Sequence, residues 1–113
     1  MSTSEKDFSS AIEDLLDILG YKWCHFRPAR TEHGWRTALS GHKGMLDYIA
    51  VKDGRFLVFE LKSDTGKVSS EQQDWIDKLK NCKGIECYVW RPTDWDELVR
   101  IMQGGNSWAE YAK

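Results

Sequence analysis

No stretch of this chain approaches the roughly 18 consecutive apolar residues that a membrane-crossing helix needs. The first residues are polar and acidic, where a secretory signal would be basic and then apolar, so no export signal is read there. Cysteine is scarce: Cys24, Cys82 and Cys87 are odd in number, form no C-x-x-C pair and show no Cys/His zinc spacing. They read as reduced, mostly buried thiols of an intracellular protein. Repeats and low-complexity tracts are absent, and the net charge is only -2 over 113 residues. That length fits one small domain, whose core six Trp, four Tyr and four Phe help to fill.

The most informative stretch runs from Asp47 to Lys62, two β-rich runs joined by Asp53-Gly54. An Asp-Gly pair between alternating apolar runs signals a two-residue hairpin turn, because a type I′ turn needs positive φ at both central positions. With those two residues as the loop, facing residues have numbers that sum to 107: Lys52 faces Arg55, Val51 faces Phe56, Ile49 faces Val58, and Asp47 faces Glu60. Directly opposed residues on an antiparallel pair have Cβ atoms roughly 4.5 to 5.5 Å apart. Two carboxylates therefore meet at the end of an apolar set, and like charges so placed need a counter-charge. A divalent cation supplies one. Lys62, two residues after Glu60, points to the same face and puts an ammonium beside both acids.

The remaining chain reads as an α/β order: helix, strands, helix, strand, helix. Phe8, Ile12, Leu15, Leu16 and Leu19 recur at helical spacing over 1–20, with Gly20 as the natural stop. At about 100° per residue, Glu5 falls about 40° from the centre of that stripe and Glu13 about 120° away, which makes Glu5 the inward-looking acid. As a first-turn acid, Glu5 also suits the helix dipole without any catalytic role. Residues 21–46 form a long, basic, partly extended connection that opens with a possible strand, Tyr21 to Phe26. From Arg27 to Gly44 little periodicity is left, so a loop is expected. A helix over 69–82 begins at Ser69-x-x-Gln72, a capping box in which Gln72 bonds back to Ser69. The same glutamine sits on the buried stripe with Trp75, Ile76 and Leu79, where it could instead reach a scissile phosphate or a metal-bound water, and both roles stay open. A strand over 85–90, parallel to 55–62 through a right-handed crossover, and a helix over 93–103 capped by Thr93 complete the chain. The hairpin is apolar on both faces, so helices should cover both.

Charge is unevenly spread. Residues 1–20 carry Glu5, Asp7, Glu13, Asp14 and Asp17 against Lys6 alone, a local net of -4. Residues 21–46 carry Lys22, Arg27, Arg30, Arg36 and Lys43 against Glu32, a net of +4, together with His25, His33 and His42. A basic segment just before a carboxylate site fits a polyanionic substrate led toward a metal, although a solvated surface loop has the same composition. Arg27, Arg30, Arg36, Lys43 and Lys67 are the candidate nucleic-acid contacts, with Trp35 as a stacking or packing aromatic.

Asp47, Glu60 and Lys62 form D-x12-E-x-K, and here the chain resembles the PD-(D/E)xK nuclease superfamily, in particular the stand-alone VRR-NUC domains of phage and bacteria. Gly44-Met-Leu-Asp47 stands for Gly-x-Pro-Asp, Glu60-Leu-Lys62 for Glu-x-Lys, and Gly66-Lys-Val-Ser-Ser-Glu-Gln72 for Gly-x-Leu-Ser-x-x-Gln. Leu46 replaces the usual proline, which bears on the approach to the strand and leaves the ligand in place. The resemblance covers about Glu5 to Leu98. It implies a restriction-endonuclease-like core, α-β-β-β-α-β-α, with a mixed sheet flanked by helices in one domain over 1–113. It also implies Mg²⁺ or Mn²⁺ on Asp47, Glu60 and the Leu61 carbonyl, Lys62 beside the attacking water, and Gln72 and the first-helix acid Glu5 in support. The activity so implied is endonucleolytic cleavage of DNA, by preference branched DNA such as four-way junctions, by a homodimer in the cytoplasm of a bacterial or phage-infected cell. No organic cofactor and no membrane association are expected. Trp90, Trp95 and Trp108 are candidate dimer contacts. A catalytically silent nuclease-like module that binds DNA or a partner, and a nuclease acting on RNA or single strands, are the competing readings.

Overall fold

The structure is a computed structural model that describes residues 5–26, 29–31, 34–36 and 39–104, with side chains for 6–26 and 39–104. Helix α1 (Glu5–Leu19) leads into strand β1 (Lys22–His25), a short hairpin of β2 (Ala29–Thr31) and β3 (Gly34–Arg36), then β4 (Tyr48–Lys52) and β5 (Arg55–Leu61). Helix α2 (Ser70–Lys80), strand β6 (Ile85–Trp90), a 3₁₀ turn (Pro92–Asp94) and helix α3 (Trp95–Met102) follow. Strands β1, β4, β5 and β6 form a mixed sheet in that order, antiparallel except for the parallel β5–β6 pair. The chain is thus an α/β protein.

The turn residues behave as their chemistry dictates. Asp53 has φ +50° and Gly54 φ +81°, the two positive values that the tight hairpin needs. Pairing then runs Tyr48 with Phe59, Ile49 with Val58, Ala50 with Leu57, Val51 with Phe56 and Lys52 with Arg55. Side-chain alternation splits the core in two. On one face Phe8, Ile12 and Leu16 of α1 and Leu98, Ile101 and Met102 of α3 pack on Tyr48, Ala50, Leu57, Phe59, Leu61 and Trp90. On the other, Ile76 of α2 packs with Leu46, Val58 and Cys87. Helices do lie on both faces, but Val51 and Phe56 at the hairpin tip on the α2 side stay about one-third exposed, at 36% and 37%. No helix among the described residues is long and apolar enough to cross a membrane.

Several expectations are corrected. The stretch after Arg27 is not all loop: Ala29 to Arg36 folds back as the β2–β3 hairpin, three residues per strand, too short for periodicity to register. Thr93 does not cap the last helix. It lies inside the 3₁₀ turn, where the Asp94 carboxylate accepts the Arg91 N–H at 2.8 Å and Asp94 flanks α3. Only Cys87 of the three cysteines is buried; Cys24 and Cys82 are exposed. Trp90 is sealed in the core at 4% exposure and is no surface for a second subunit, and Trp95 packs against that core. Trp108 lies outside the described residues.

Gly44 fixes how the chain enters β4. Its φ is +99°, and a Cβ there would lie 2.6 Å from the Glu71 Cβ and 2.7 Å from the Glu71 carbonyl carbon, so the backbone rests against the first turn of α2. Leu46, in the place of a proline, is buried at 1% under the same helix. Gly44→Ala should therefore cost about 2 to 4 kcal/mol through strain and overpacking, read as a lowered urea midpoint. An unchanged midpoint would show that this contact is not what seats the segment before Asp47.

Candidate active site

The site forms where β4 begins and β5 ends. A row of aromatic residues crosses the sheet one position before it: His25 pairs with Tyr48, Tyr48 with Phe59 and Phe59 with Tyr88. The His25 and Tyr48 rings stack at 4.0 Å and the Tyr48 and Phe59 rings at 4.9 Å, while Trp90 sits 4.8 Å from Phe59. Such pairs add about 0.5 to 1.5 kcal/mol each beyond their buried area. They hold the three strands in one register, and the next residue along β4 and β5 supplies the acids.

Asp47 and Glu60 meet there. The Asp47 N–H donates to Glu60 Oε1 at 3.0 Å, and the Asp47 carbonyl accepts the Phe26 N–H at 2.7 Å. Glu60 is the one buried charged residue among those described, at 5% exposure. Lys62 Nζ lies 3.7 Å from Glu60 Oε2. Burial, and next the charge of Asp47, push the Glu60 carboxyl up to about 7; the Asp47 N–H, Lys62 and the Gln72 side chain pull the other way without prevailing. Gln72 forms the capping box that its spacing from Ser69 predicts. Its Oε1 accepts the Ser69 N–H at 3.1 Å and its own N–H donates to Ser69 Oγ at 3.1 Å, completing the capping box.

A cleft of about 450 Å³ opens beside this pair, across the ends of three neighbouring strands. His25 of β1, Tyr48 and the preceding Asp47, and Leu61 of β5 form its floor; Lys6, Ser9, Ser10 and Glu13 of α1 form its wall. These four wall residues recur at i, i+3, i+4 and i+7, a polar stripe next to the apolar one. Of the α1 acids whose side chains are described, Glu13 is the one that lines the cleft. Its Oε2 accepts the Tyr48 hydroxyl at 2.6 Å and lies 3.3 Å from His25 Nδ1. The wheel argument passes it over because the buried stripe is Phe8, Ile12 and Leu16, whose centre lies about 20° nearer to Glu13 than the set that includes Leu15 and Leu19. A further signal, the charge-bearing i+7 partner of Lys6 across two serines, was legible but has no meaning without the cleft.

The structure thus brings together Asp47, Glu60, Leu61, Lys62 and Gln72. Glu5 opens α1, and its side chain lies outside the described residues, as do Arg27 and the side chains of Arg30, Arg36 and Trp35. Lys43 lies elsewhere, exposed on the α2 side, 3.6 Å from Glu71, with its carbonyl accepting the Trp75 indole N–H. Lys67 is exposed in the β5–α2 turn. Among the described residues no group of three or more His, Cys, Asp or Glu side chains is placed to hold a metal ion; the oxygen donors brought together here are the Asp47 and Glu60 carboxylates. This all-oxygen set fits Mg²⁺, which takes one or two carboxylates and keeps waters for the rest. Comparisons of the chain with protein-family models, curated proteins and solved structures gave no match.

The raised Glu60 carboxyl has a stability consequence. Folded Glu60 holds its proton up to about 7, and the unfolded chain releases it near 4.5, so between those values the folded state binds more protons. Stability of the metal-free protein therefore falls as pH rises through that window, by on the order of 3 kcal/mol at most. Glu60→Gln should remove this component: in EDTA its urea midpoint should equal or exceed that of wild type at pH 8 and lose the advantage at pH 4.5. Added Mg²⁺ at pH 8 should raise the wild-type midpoint and leave Glu60→Gln unmoved. Parallel pH profiles for the two proteins would refute the assignment.

Proposed function

We propose that this chain is a divalent-metal-dependent endonuclease that hydrolyses phosphodiester bonds in DNA, built on a restriction-endonuclease-like core of the VRR-NUC kind. One observation carries the reading: a buried glutamate whose carboxyl is pushed to about 7, flanked by a lysine and opposed by Asp47, a second carboxylate that lines a cleft. Strongly perturbed titratable groups in clefts mark functional sites more often than structural ones. The D-x12-E-x-K spacing and the Gly44–Asp47 and Gly66–Gln72 motifs support the same reading from the sequence.

The residues divide the work. Asp47, Glu60 and the Leu61 carbonyl would hold Mg²⁺ or Mn²⁺, which when bound supplies the positive charge that acidifies water and stabilises charge building on phosphorus. Lys62, held toward this site by Glu60, orients the attacking water and stabilises negative charge in the transition state. Gln72 keeps the Glu60 oxygen turned toward the site while its other end is tied to the start of α2. The net positive charge of residues 21–46 draws the polyanionic backbone to the cleft. Four-way junctions are the substrate proposed, cut by a homodimer whose two-fold axis matches the paired strands of a junction.

Cleavage of an end-labelled four-way junction, beside a linear duplex of the same sequence, tests this. Wild type should cut the junction in Mg²⁺ or Mn²⁺ and not in EDTA, and Asp47→Ala and Lys62→Ala should each lower the rate by at least about 100-fold. Wild-type binding to the junction without cutting in any metal would leave a silent binding module and end the enzymatic reading. Cutting restricted to RNA or single strands would move the substrate class.

A further inference from the structure

The far end of the cleft holds a pair that this reading leaves without a task. His25 Nδ1 lies 3.3 Å from Glu13 Oε2, the oxygen that also accepts the Tyr48 hydroxyl at 2.6 Å. The imidazole is stacked on the Tyr48 ring at 4.0 Å with an interplanar angle of 12°, and Tyr48 is itself buried at 1%. Two contacts, from Glu13 of α1 and Tyr48 of β4, thus hold the ring, and the Tyr48–Glu13 hydrogen bond ties those two together. With Nδ1 turned to a carboxylate, Nε2 is the nitrogen directed away from it, the arrangement by which an acid orients a histidine for proton transfer. His25 and Glu13 both line the cleft that contains Asp47 and Leu61.

Strand alternation places this pair opposite the other half of the site. Val58 belongs to the core cluster on the α2 side, so Glu60 and Lys62, two and four residues on, share that side. His25 stacks on Tyr48, which belongs to the cluster on the α1 side. Asp47 lies between them at the start of β4. In an in-line displacement at phosphorus the attacking and leaving oxygens occupy opposite ends of one axis. A phosphate seated at Asp47 would have Lys62 toward one end of that axis and His25 toward the other.

Resting on the nuclease reading, we infer that His25 is a catalytic general acid, positioned by Glu13 and Tyr48, that protonates the leaving oxygen of the scissile phosphodiester. The step balances as follows. Water oxygen forms the new bond to phosphorus and its proton is lost to solvent; the bond from phosphorus to the leaving oxygen breaks and its electron pair stays on that oxygen. The oxygen takes the Nε2 proton of the imidazolium and departs as an alcohol, and neutral His25 is reprotonated from solvent. The titratable and charged groups facing the imidazole are Lys6 and Glu13 of α1 together with Asp47 and Tyr48 at the start of β4. Glu13 supplies the counter-charge to the imidazolium, and its role is positioning.

The test compares two versions of the same junction, one with the ordinary leaving oxygen at the cut position and one with a bridging sulfur there. A thiolate leaves without a proton, so only the oxygen substrate needs an acid. His25→Gln and His25→Asn should cut the oxygen substrate about 10²- to 10⁴-fold more slowly than wild type, yet cut the sulfur substrate within about tenfold of it. Near-normal cutting of the sulfur substrate also establishes that the variants fold and bind. Glu13→Gln, which removes the positioning carboxylate, should slow the oxygen substrate more than the sulfur substrate. Equal losses on both substrates, or no loss on either, would overturn the general-acid role while leaving the nuclease standing. Failure of wild type to cut either substrate in any metal would overturn both.

Discussion

Everything at the site depends on the register of two strands. Because side chains on a strand alternate with a period of two, a slip of one residue between β4 and β5 would carry Asp47 off Glu60 and turn the apolar face of each strand to the wrong side. Two devices prevent it. The Asp53–Gly54 turn admits one loop length, and the stack of His25, Tyr48 and Phe59 penalises any other alignment with the loss of ring contacts on a fully buried tyrosine. The acids sit one residue beyond the most rigid row in the sheet, where a strand end gives solvent access and the neighbouring row still gives precision.

That placement sets stability against chemistry. A carboxyl buried beside another carboxylate is held in its charged form only at a cost, and the fold recovers part of it through the Asp47 N–H, Lys62 and Gln72. The cost is local because neither acid is part of the two apolar clusters. Those clusters are complete without the site: α1 and α3 close over one face, and α2 covers β5 and β6 on the other.

What the sequence revealed follows from how local each signal is. The β4–β5 register was legible because it needs only a two-residue turn and counting, and the α2 capping box because both of its partners lie within four residues. Gly20, at φ +84°, ends α1 as its position implies. The β2–β3 hairpin was not legible, since strands of three residues carry no measurable period. Glu13 was hidden for another reason. A wheel reports only which side of a helix is apolar, whereas Glu13 earns its place from Tyr48 and His25, which are 35 and 12 residues away and meet it only after the sheet has formed. Long-range polar contacts of this sort are invisible to any argument based on spacing.

Two glutamates on neighbouring strands show how the fold treats a carboxylate it uses for structure and one it leaves available. Glu86 on β6 receives Arg55 through both of its oxygens, at 2.7 and 2.8 Å, and the Tyr88 hydroxyl at 2.6 Å. Burial pushes its carboxyl up, but those hydrogen bonds outweigh burial and hold it below the ordinary value. Arg55 goes on to donate to the Ile101 carbonyl and the Tyr21 hydroxyl, tying the hairpin to the end of α3. Glu60, more deeply buried, accepts the Asp47 N–H at 3.0 Å but has only a lysine at 3.7 Å as a counter-charge, with a second acid beside it. The same chain that neutralises one glutamate with a fork of arginine hydrogen bonds leaves the other short of positive charge. Strongly perturbed carboxyls mark functional sites more often than structural ones, and of these two glutamates only Glu60 is pushed upward.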